Sequence, residues 1–174
     1  MDVLFVPADL RRLDALKSEA LCVPFFEDER PLVGALGLVD WRLCGRVSDL
    51  LKRGRIDGRV GEVTLVPARP RLPFEKLVLF RMGQSGSFSE SAFTACVENM
   101  FRTLTRSKVR ASVLVLPGRA RSLIEPARAM ELFLGVANKH AEHDQVTLVD
   151  HADAERAMQP IVERERRRAR AYVA

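Results

Sequence analysis

The sequence predicts an α/β fold in which helices cover both faces of a mixed, largely parallel sheet, that is, a three-layer α/β/α sandwich. Three observations support this prediction. Apolar runs of strand length recur along the chain, segments of helical periodicity separate them, and Pro or Gly follows most of the runs. Strands that alternate with helices in this way form βαβ units, whose helices pack on the two faces of the sheet.

The predicted strands are apolar runs bounded by turn residues. The first covers residues 3–6 and ends at Pro7, and the second, residues 20–26, is apolar throughout. An uninterrupted apolar run is typical of a strand that is buried on both faces. The remaining predicted strands are residues 63–66, 76–83, 112–116 and 145–149.

Helices are predicted where apolar residues recur at helical spacing after a capping residue. Asp40 is the predicted N-cap of a helix that ends at Gly54. Ser87 and Ser122 each stand three residues before a Glu, which is the spacing of a capping box, so each is predicted to begin a helix. A last helix is predicted over residues 152–172, interrupted by Pro160 and with a thin apolar face.

Length and composition predict one domain without a membrane segment. The chain has 174 residues, 28 Lys and Arg against 23 Asp and Glu, and a net charge of +5. The N-terminus lacks the basic and apolar regions of a secretory signal, and no apolar run approaches the roughly 20 residues that span a bilayer. Three well-separated cysteines without a CxxC pattern favour a reducing, cytoplasmic setting.

Two arginine-rich groups, residues 42–59 and 164–170, suggest a nucleic-acid partner. Such groups can bind phosphates. However, no aromatic residue is interleaved with the C-terminal run, as a base-stacking surface would require. An Arg-rich terminal helix is also commonly a solvated face, so nucleic-acid binding is not the favoured prediction.

Two strand-to-helix loops are the predicted ligand-binding elements. Each follows a predicted strand and precedes a predicted helix, so its backbone amides could face an anion. For the first loop a plain strand-to-helix turn with a Ser cap is the favoured alternative. The two arginines of the second loop make an anion site a little more plausible there. The candidate residues are Gly83, Ser85, Gly86, Ser87, Gly118, Arg119 and Arg121.

No catalytic residue, metal or cofactor is predicted. The chain has no G-x-S-x-G, no Walker A sequence and no G-x-G-x-x-G after a strand. His140, His143 and His151 cluster late in the chain, but no third ligand stands at the spacing that helical two-His metal sites need. Cys22 and Cys96 lie in apolar segments and are predicted to be core residues.

Residues 25–66 resemble the N-terminal domain of the leucyl aminopeptidases, also called cytosol aminopeptidases. The matching features are a Leu-Leu-x-x-Gly helix end at residues 50–54 and a Gly-x-x-Gly-Glu turn at residues 58–62, followed by a strand that ends near a Pro. The later order of elements matches as well. This resemblance implies a macro-domain-like fold.

The resemblance also defines what this chain lacks. The full enzymes carry two metals in a C-terminal domain with an Asn-Thr-Asp-Ala-Glu-Gly-Arg signature, and nothing in this chain matches that signature. We therefore expect an aminopeptidase N-terminal-like domain at residues 1–150. Residues 151–174 are expected to form a helix resembling the interdomain linker, with no catalytic domain after it. On this interpretation the chain is a stand-alone N-terminal domain or an enzyme cut at the linker.

The favoured functional hypothesis is a noncatalytic interaction or oligomerisation module with a protein partner or a second copy. In the family this domain contributes to hexamer organisation and, in some bacterial members, to DNA contact. The predicted partner interface is the last helix, through Met158, Ile161, Val162, Arg166 and Arg170. The alternative is a macro-type site for ADP-ribose or another nucleotide. Residues 27–29, Glu-Asp-Glu, disfavour it because they would repel a pyrophosphate.

Overall fold

A computed structural model describes residues 1–56 and 60–171, and for Ala169 and Arg170 it describes the backbone alone. The strands are β1 (Asp2–Pro7), β2 (Ala20–Phe25), β3 (Val63–Pro67), β4 (Lys76–Arg81), β5 (Ala111–Leu114) and β6 (Gln145–Asp150). The helices are α1 (Leu10–Ala15), α2 (Gly34–Arg42), α3 (Arg46–Lys52), α4 (Glu90–Arg106), α5 (Pro126–Ala137) and α6 (Ala152–Ala171). Residues 57–59, which include the first two residues of the Gly-x-x-Gly-Glu turn, and residues 172–174 lie outside this description.

The six strands form one sheet in the order β1-β6-β5-β2-β4-β3. All neighbours are parallel except β3 and β4, which are antiparallel. The prediction of a mixed, largely parallel sheet is confirmed. Strand β2 lies between β5 and β4, with both faces covered, and this explains its uninterrupted apolar sequence.

The core has two parts, one on each face of the sheet. Successive residues of a strand point to opposite faces, so Ala20 and Cys22 of β2 belong to one buried cluster while Leu21 and Val23 belong to the other. Helices α4, α5 and α6 contribute to the first cluster, and α1, α2 and α3 contribute to the second. The predicted three-layer sandwich is therefore present.

The predicted helix from Asp40 to Gly54 is wrong, because the chain breaks it in two. Cys44 and Gly45 both have positive φ, at 57° and 76°, which ends α2 and reorients the chain before α3. Asp40 lies inside α2, yet its carboxylate accepts hydrogen bonds from the amides of Val47 (2.7 Å) and Ser48 (3.2 Å). It therefore caps α3 from the preceding helix.

The predicted starts of α4 and α5 also need correction. The N-cap of α4 is Ser89, whose hydroxyl accepts from the amide of Ala92 at 3.2 Å, and Ser87 lies in a short 3₁₀ turn before it. Helix α5 begins at Pro126 without a side-chain cap, because Ser122 has a left-handed backbone in the preceding loop. Capping-box spacing alone did not locate either start.

Helix α6 continues through Pro160 and packs on the domain, which corrects two predictions. Met158 and Val162 are buried in the cluster that α4 and α5 build, and Ile161 packs against it. Burial of this face offsets the roughly 3 kcal/mol that a Pro inside a helix costs. These side chains are therefore not available to a partner. Within residues 1–56 and 60–171, no helix combines the length and apolar composition needed to cross a bilayer.

Candidate functional site at the carboxyl edge of the sheet

The carboxyl ends of β1, β2, β4, β5 and β6 meet at one edge of the sheet, because these strands are parallel. In open α/β sheets ligands bind at this edge, where neighbouring strands send their loops to opposite faces. Here the chain leaves β2 for α2 on one face and leaves β5 for α5 on the other. Both predicted ligand loops, residues 83–87 and 118–121, lie at this edge, as does the acidic loop 27–29.

Asp28 joins the two predicted ligand loops. Its carboxylate accepts a hydrogen bond from the amide of Ser85 (N to Oδ1, 2.8 Å) and another from the Ser85 hydroxyl. It also pairs with Arg121 (Nη1 to Oδ2, 3.3 Å). The hydrogen bonds from Ser85 lower the pKa of Asp28 to about 2. A carboxylate of this chain therefore already occupies the amide, hydroxyl and guanidinium that an anionic ligand would use.

Arg119 is committed to a buried ion pair at the same edge. Its Nε lies 2.8 Å from Oδ2 of Asp150, the last residue of β6, and both side chains are 8% exposed. Its Nη2 donates to Oδ1 of Asp150 at 3.3 Å, and its Nη1 donates to the carbonyl of Ile124 at 2.6 Å. This arrangement connects the loop after β5 to the end of β6. Arg119 therefore has a structural role in the described fold.

The other two carboxylates of the acidic loop are also engaged. Glu29 is buried and accepts from the amides of Phe26 and Val33, each at 3.2 Å, and burial raises its pKa. Glu27 pairs with Arg81 at 3.1 Å and accepts from the Gln84 amide at 3.0 Å. The loop is therefore fixed to its own backbone on one side and to the end of β4 on the other.

The glycines at this edge allow loops to pack closely against each other. Gly118 has φ +74°, and a Cβ there would lie 2.6 Å from the ring of Phe88. Phe88 in turn packs edge-on against Phe26, with the ring centroids 5.9 Å apart. Gly86 has open space where a Cβ would stand. Of the predicted ligand residues, Ser85 and Arg121 are brought together through Asp28, whereas Gly118 is covered by an aromatic ring.

Sequence reasoning missed the roles of Asp28 and Asp150. Asp28 was predicted only to repel a pyrophosphate, and Asp150 was not singled out. Ser85 stands 57 residues from Asp28, and Arg119 stands 31 residues from Asp150. Sequence motifs relate residues that are close together in the chain, so they could not predict these two pairs.

A cleft of about 780 Å³ lies at the junction of α2 and α3. Trp41, Arg42 and Cys44 line it together with Arg71, whose Nη1 lies 2.8 Å from the Cys44 sulfur. None of the predicted ligand residues lines this cleft. The carboxyl edge remains the candidate site because the loops of the parallel strands converge there.

Two of the three histidines, His140 and His143, pack against Phe101 of α4. His143 is buried, its Nε2 lies 2.9 Å from the Ser112 hydroxyl, and its ring packs edge-on against Phe101. His140 stacks on the same Phe101 ring and pairs with Glu142 at 3.2 Å. Across the described ranges, with residues 57–59 and 172–174 set aside, no three His, Cys, Asp or Glu side chains are placed to share a metal ion.

Buried His143 predicts a pH-dependent stability. Desolvation lowers the pKa of His143, so below the unfolded-state pKa of about 6.5 the unfolded chain binds more protons. The free energy of unfolding should therefore fall as the pH drops from 7.5 to 5.5, and it should fall less in His143→Gln. Urea unfolding at several pH values measures the slope of the unfolding free energy against pH. His151→Gln, at an exposed His, is the control, and equal slopes in all three proteins would contradict the assignment.

The basic run of α6 is largely paired within the chain. Arg164 lies 3.4 Å from Glu131, Arg168 lies 3.8 Å from Glu165, and Arg166 lies 3.6 Å from Asp2. Arg166 therefore contacts its own domain, and the Arg170 side chain lies outside the described residues. These pairs reduce the free positive charge that a nucleic acid would meet.

Comparison with known proteins identifies the family. The model of the cytosol aminopeptidase family, N-terminal domain, matches residues 22–135. A probable cytosol aminopeptidase of Dechloromonas aromatica is 26% identical over 110 residues, which is 62% of this chain and 22% of that protein. One from Pseudomonas syringae pv. tomato is 32% identical over 77 residues, 44% of this chain and 15% of that protein. The aligned part of the chain thus spans 15–22% of the length of these relatives.

Solved structures show the same fold. A macrodomain of Oceanobacillus iheyensis with MES bound superposes with a TM-score of 0.76 at 12% identity, covering 94% of this chain and 92% of that one. A Trypanosoma brucei macrodomain in complex with ADP-ribose gives 0.72 at 13% identity, covering 92% and 68%. A tomato leucine aminopeptidase mutant gives 0.64 at 13% identity, covering 91% and 35%. The chain belongs to the cytosol aminopeptidase family, whose N-terminal domain it matches, and it has a macrodomain-like fold.

Proposed function

We propose that this chain is a noncatalytic interaction domain that functions by joining protein assemblies. The observation that carries the proposal is that basic and amide groups at the carboxyl edge are paired with carboxylates of the same chain. Asp28 occupies the Ser85 amide and the Arg121 guanidinium, and Asp150 occupies Arg119. Ser85, Arg119 and Arg121, which could bind an anionic substrate at this edge, are therefore already paired with the chain's own carboxylates.

The extent of the family match supports the same proposal. The match covers the N-terminal domain of enzymes that are several times longer than the aligned segment. In these enzymes the resemblance assigns the metals and the catalytic signature to another domain. Organisation of an assembly is the role that the resemblance leaves to this one. A cytoplasmic setting is part of the proposal, because Cys22, Cys44 and Cys96 are all free thiols.

Two measurements on one preparation test this proposal. The first is the molar mass in solution by light scattering, for the chain alone and mixed with a full-length cytosol aminopeptidase of the same organism. The second is hydrolysis of leucine p-nitroanilide with Mn²⁺ or Zn²⁺ present. We expect a complex larger than the 19.5 kDa monomer and no hydrolysis by the chain alone. Hydrolysis, or a monomer both alone and in the mixture, would contradict the proposal.

Nucleotide binding is the second candidate, because a structural neighbour is a macrodomain in complex with ADP-ribose. Asp28 weighs against it, since a pyrophosphate at this edge would have to displace that carboxylate from Ser85 and Arg121. We expect ADP-ribose at millimolar concentration to leave the melting temperature unchanged. A saturable increase that Arg121→Ala abolishes would establish this second function instead.

A further inference from the structure

The two outer strands of the sheet are protected to different degrees. At β1, Arg166 of α6 donates to the carbonyl of Val3 at 3.4 Å and also pairs with Asp2. At β3, no described residue beyond the neighbouring strand β4 forms a hydrogen bond with the strand backbone. An uncovered edge of this kind is a ready template for another strand.

Strand β3 also exposes apolar side chains. Leu65 is 60% exposed and Val63 is 38% exposed. Val63 pairs with Phe80 and Leu65 with Val78, so both point to the face that α4 covers further along the sheet. A groove of about 290 Å³ lies next to the start of β3, between Val60 and Gly61 and helix α4, with Phe80 and Met82 in its wall. The edge therefore combines an open backbone with an apolar surface.

The backbone of β3 alternates between its neighbour and the open edge. The carbonyl of Glu62 accepts from the amide of Arg81 at 3.2 Å, so Glu62, Thr64 and Val66 direct their backbone groups toward β4. Val63 and Leu65 consequently direct their N–H and C=O groups outward. The two residues with outward backbone groups are the same two that expose apolar side chains.

We propose that β3 pairs antiparallel with β3 of a second copy of this chain, about a twofold axis at Thr64. In this register Val63 of one copy faces Leu65 of the other, and the two exchange both of their outward hydrogen bonds. The twofold symmetry gives the same pair of hydrogen bonds between Leu65 of the first copy and Val63 of the second. The Val63 and Leu65 side chains of both copies then meet on one face of a sheet that is continuous across the dimer. This inference rests on the proposed interaction function and names its surface and partner.

The composition of the strand favours a second copy over an unrelated strand. An antiparallel twofold needs a segment that is complementary to itself, and the two apolar residues stand symmetrically on either side of Thr64. Its one charged neighbour, Glu62, stands at the end, away from the axis. No Lys interrupts the strand, although Lys is a common device that prevents pairing at an edge. Pro67, which has no N–H, limits the ladder to this short segment.

Sedimentation velocity over a concentration series tests the pairing, with two matched variants. Leu65→Lys places a charge on the open edge and should weaken the dimer at least about tenfold. Leu4→Lys makes the same change at an exposed Leu of β1, which is 46% exposed, and should leave the dimer unchanged. Circular dichroism verifies that both variants fold. Equal dissociation of the two variants, or an undisturbed Leu65→Lys dimer, would overturn the proposal.

Hydrogen exchange of the unmodified chain gives a second readout that needs no variant. The amides of Val63 and Leu65 should exchange more slowly as the protein concentration rises, whereas the amide of Thr64 should be protected at all concentrations. Fast exchange of Val63 and Leu65 at every concentration would contradict the pairing. If the chain is monomeric alone but forms a complex with the aminopeptidase, the pairing of β3 strands is contradicted and the proposed interaction function is not. A chain that remains monomeric in both cases would contradict the proposed function as well.

Discussion

Replacing Arg119 by Ala is expected to lower the free energy of unfolding by about 3–5 kcal/mol, the cost of breaking a buried ion pair from one side. Asp150 would remain buried, with a charge that has lost both guanidinium hydrogen bonds. The carbonyl of Ile124 would also lose its donor. Urea unfolding at pH 7 followed by circular dichroism measures the loss.

Arg128→Ala is the matched control for this prediction. Arg128 also binds two oxygens of a carboxylate, with its Nη2 2.7 Å from Oε2 of Glu90, but both side chains are about half exposed. A pair in such contact with water contributes about 0–1 kcal/mol. A loss for Arg119→Ala no greater than that for Arg128→Ala would contradict a buried Arg119–Asp150 ion pair at the carboxyl edge.

Met158→Ala is expected to cost about 2–5 kcal/mol, as for other large-to-small changes of a fully buried side chain. Met158 has no solvent exposure and lies in the cluster formed with α4 and α5. The loss should appear as a lower urea midpoint with an unchanged slope, because the same surface unfolds.

Arg156→Ala changes an exposed residue of the same helix and should alter the stability by no more than about 0.5 kcal/mol. The comparison tests whether α6 is part of the domain. A loose linker helix would tolerate both substitutions equally, and that result would restore the partner interface predicted from the sequence.

The sheet was predictable because its signal is local. The uninterrupted apolar run of residues 20–26 indicates a strand buried on both faces, and the structure places β2 between two parallel neighbours. Family membership was also predictable, since the motifs between residues 25 and 66 fall within the matched domain. In both cases the residues that carry the information are close together in the chain.

The predictions that were wrong depended on contacts between distant residues. Helix α6 was predicted to offer Met158, Ile161 and Val162 to a partner, yet Met158 and Val162 are buried in a cluster built mainly by other elements. Asp40 was predicted to begin a helix, but its carboxylate caps the next one across the break at Cys44 and Gly45. The carboxylates at the carboxyl edge have partners up to 93 residues away, which no sequence pattern reports.

The central claim is that this chain joins protein assemblies, and its molar mass in solution tests that claim most directly. The mass is measured for the unmodified chain alone over a range of concentrations, and again in a mixture with the full-length aminopeptidase. An interaction domain with an open β3 edge should rise from 19.5 kDa toward twice that mass as its concentration increases. A mass of 19.5 kDa at every concentration and in the mixture would contradict a role in protein assembly.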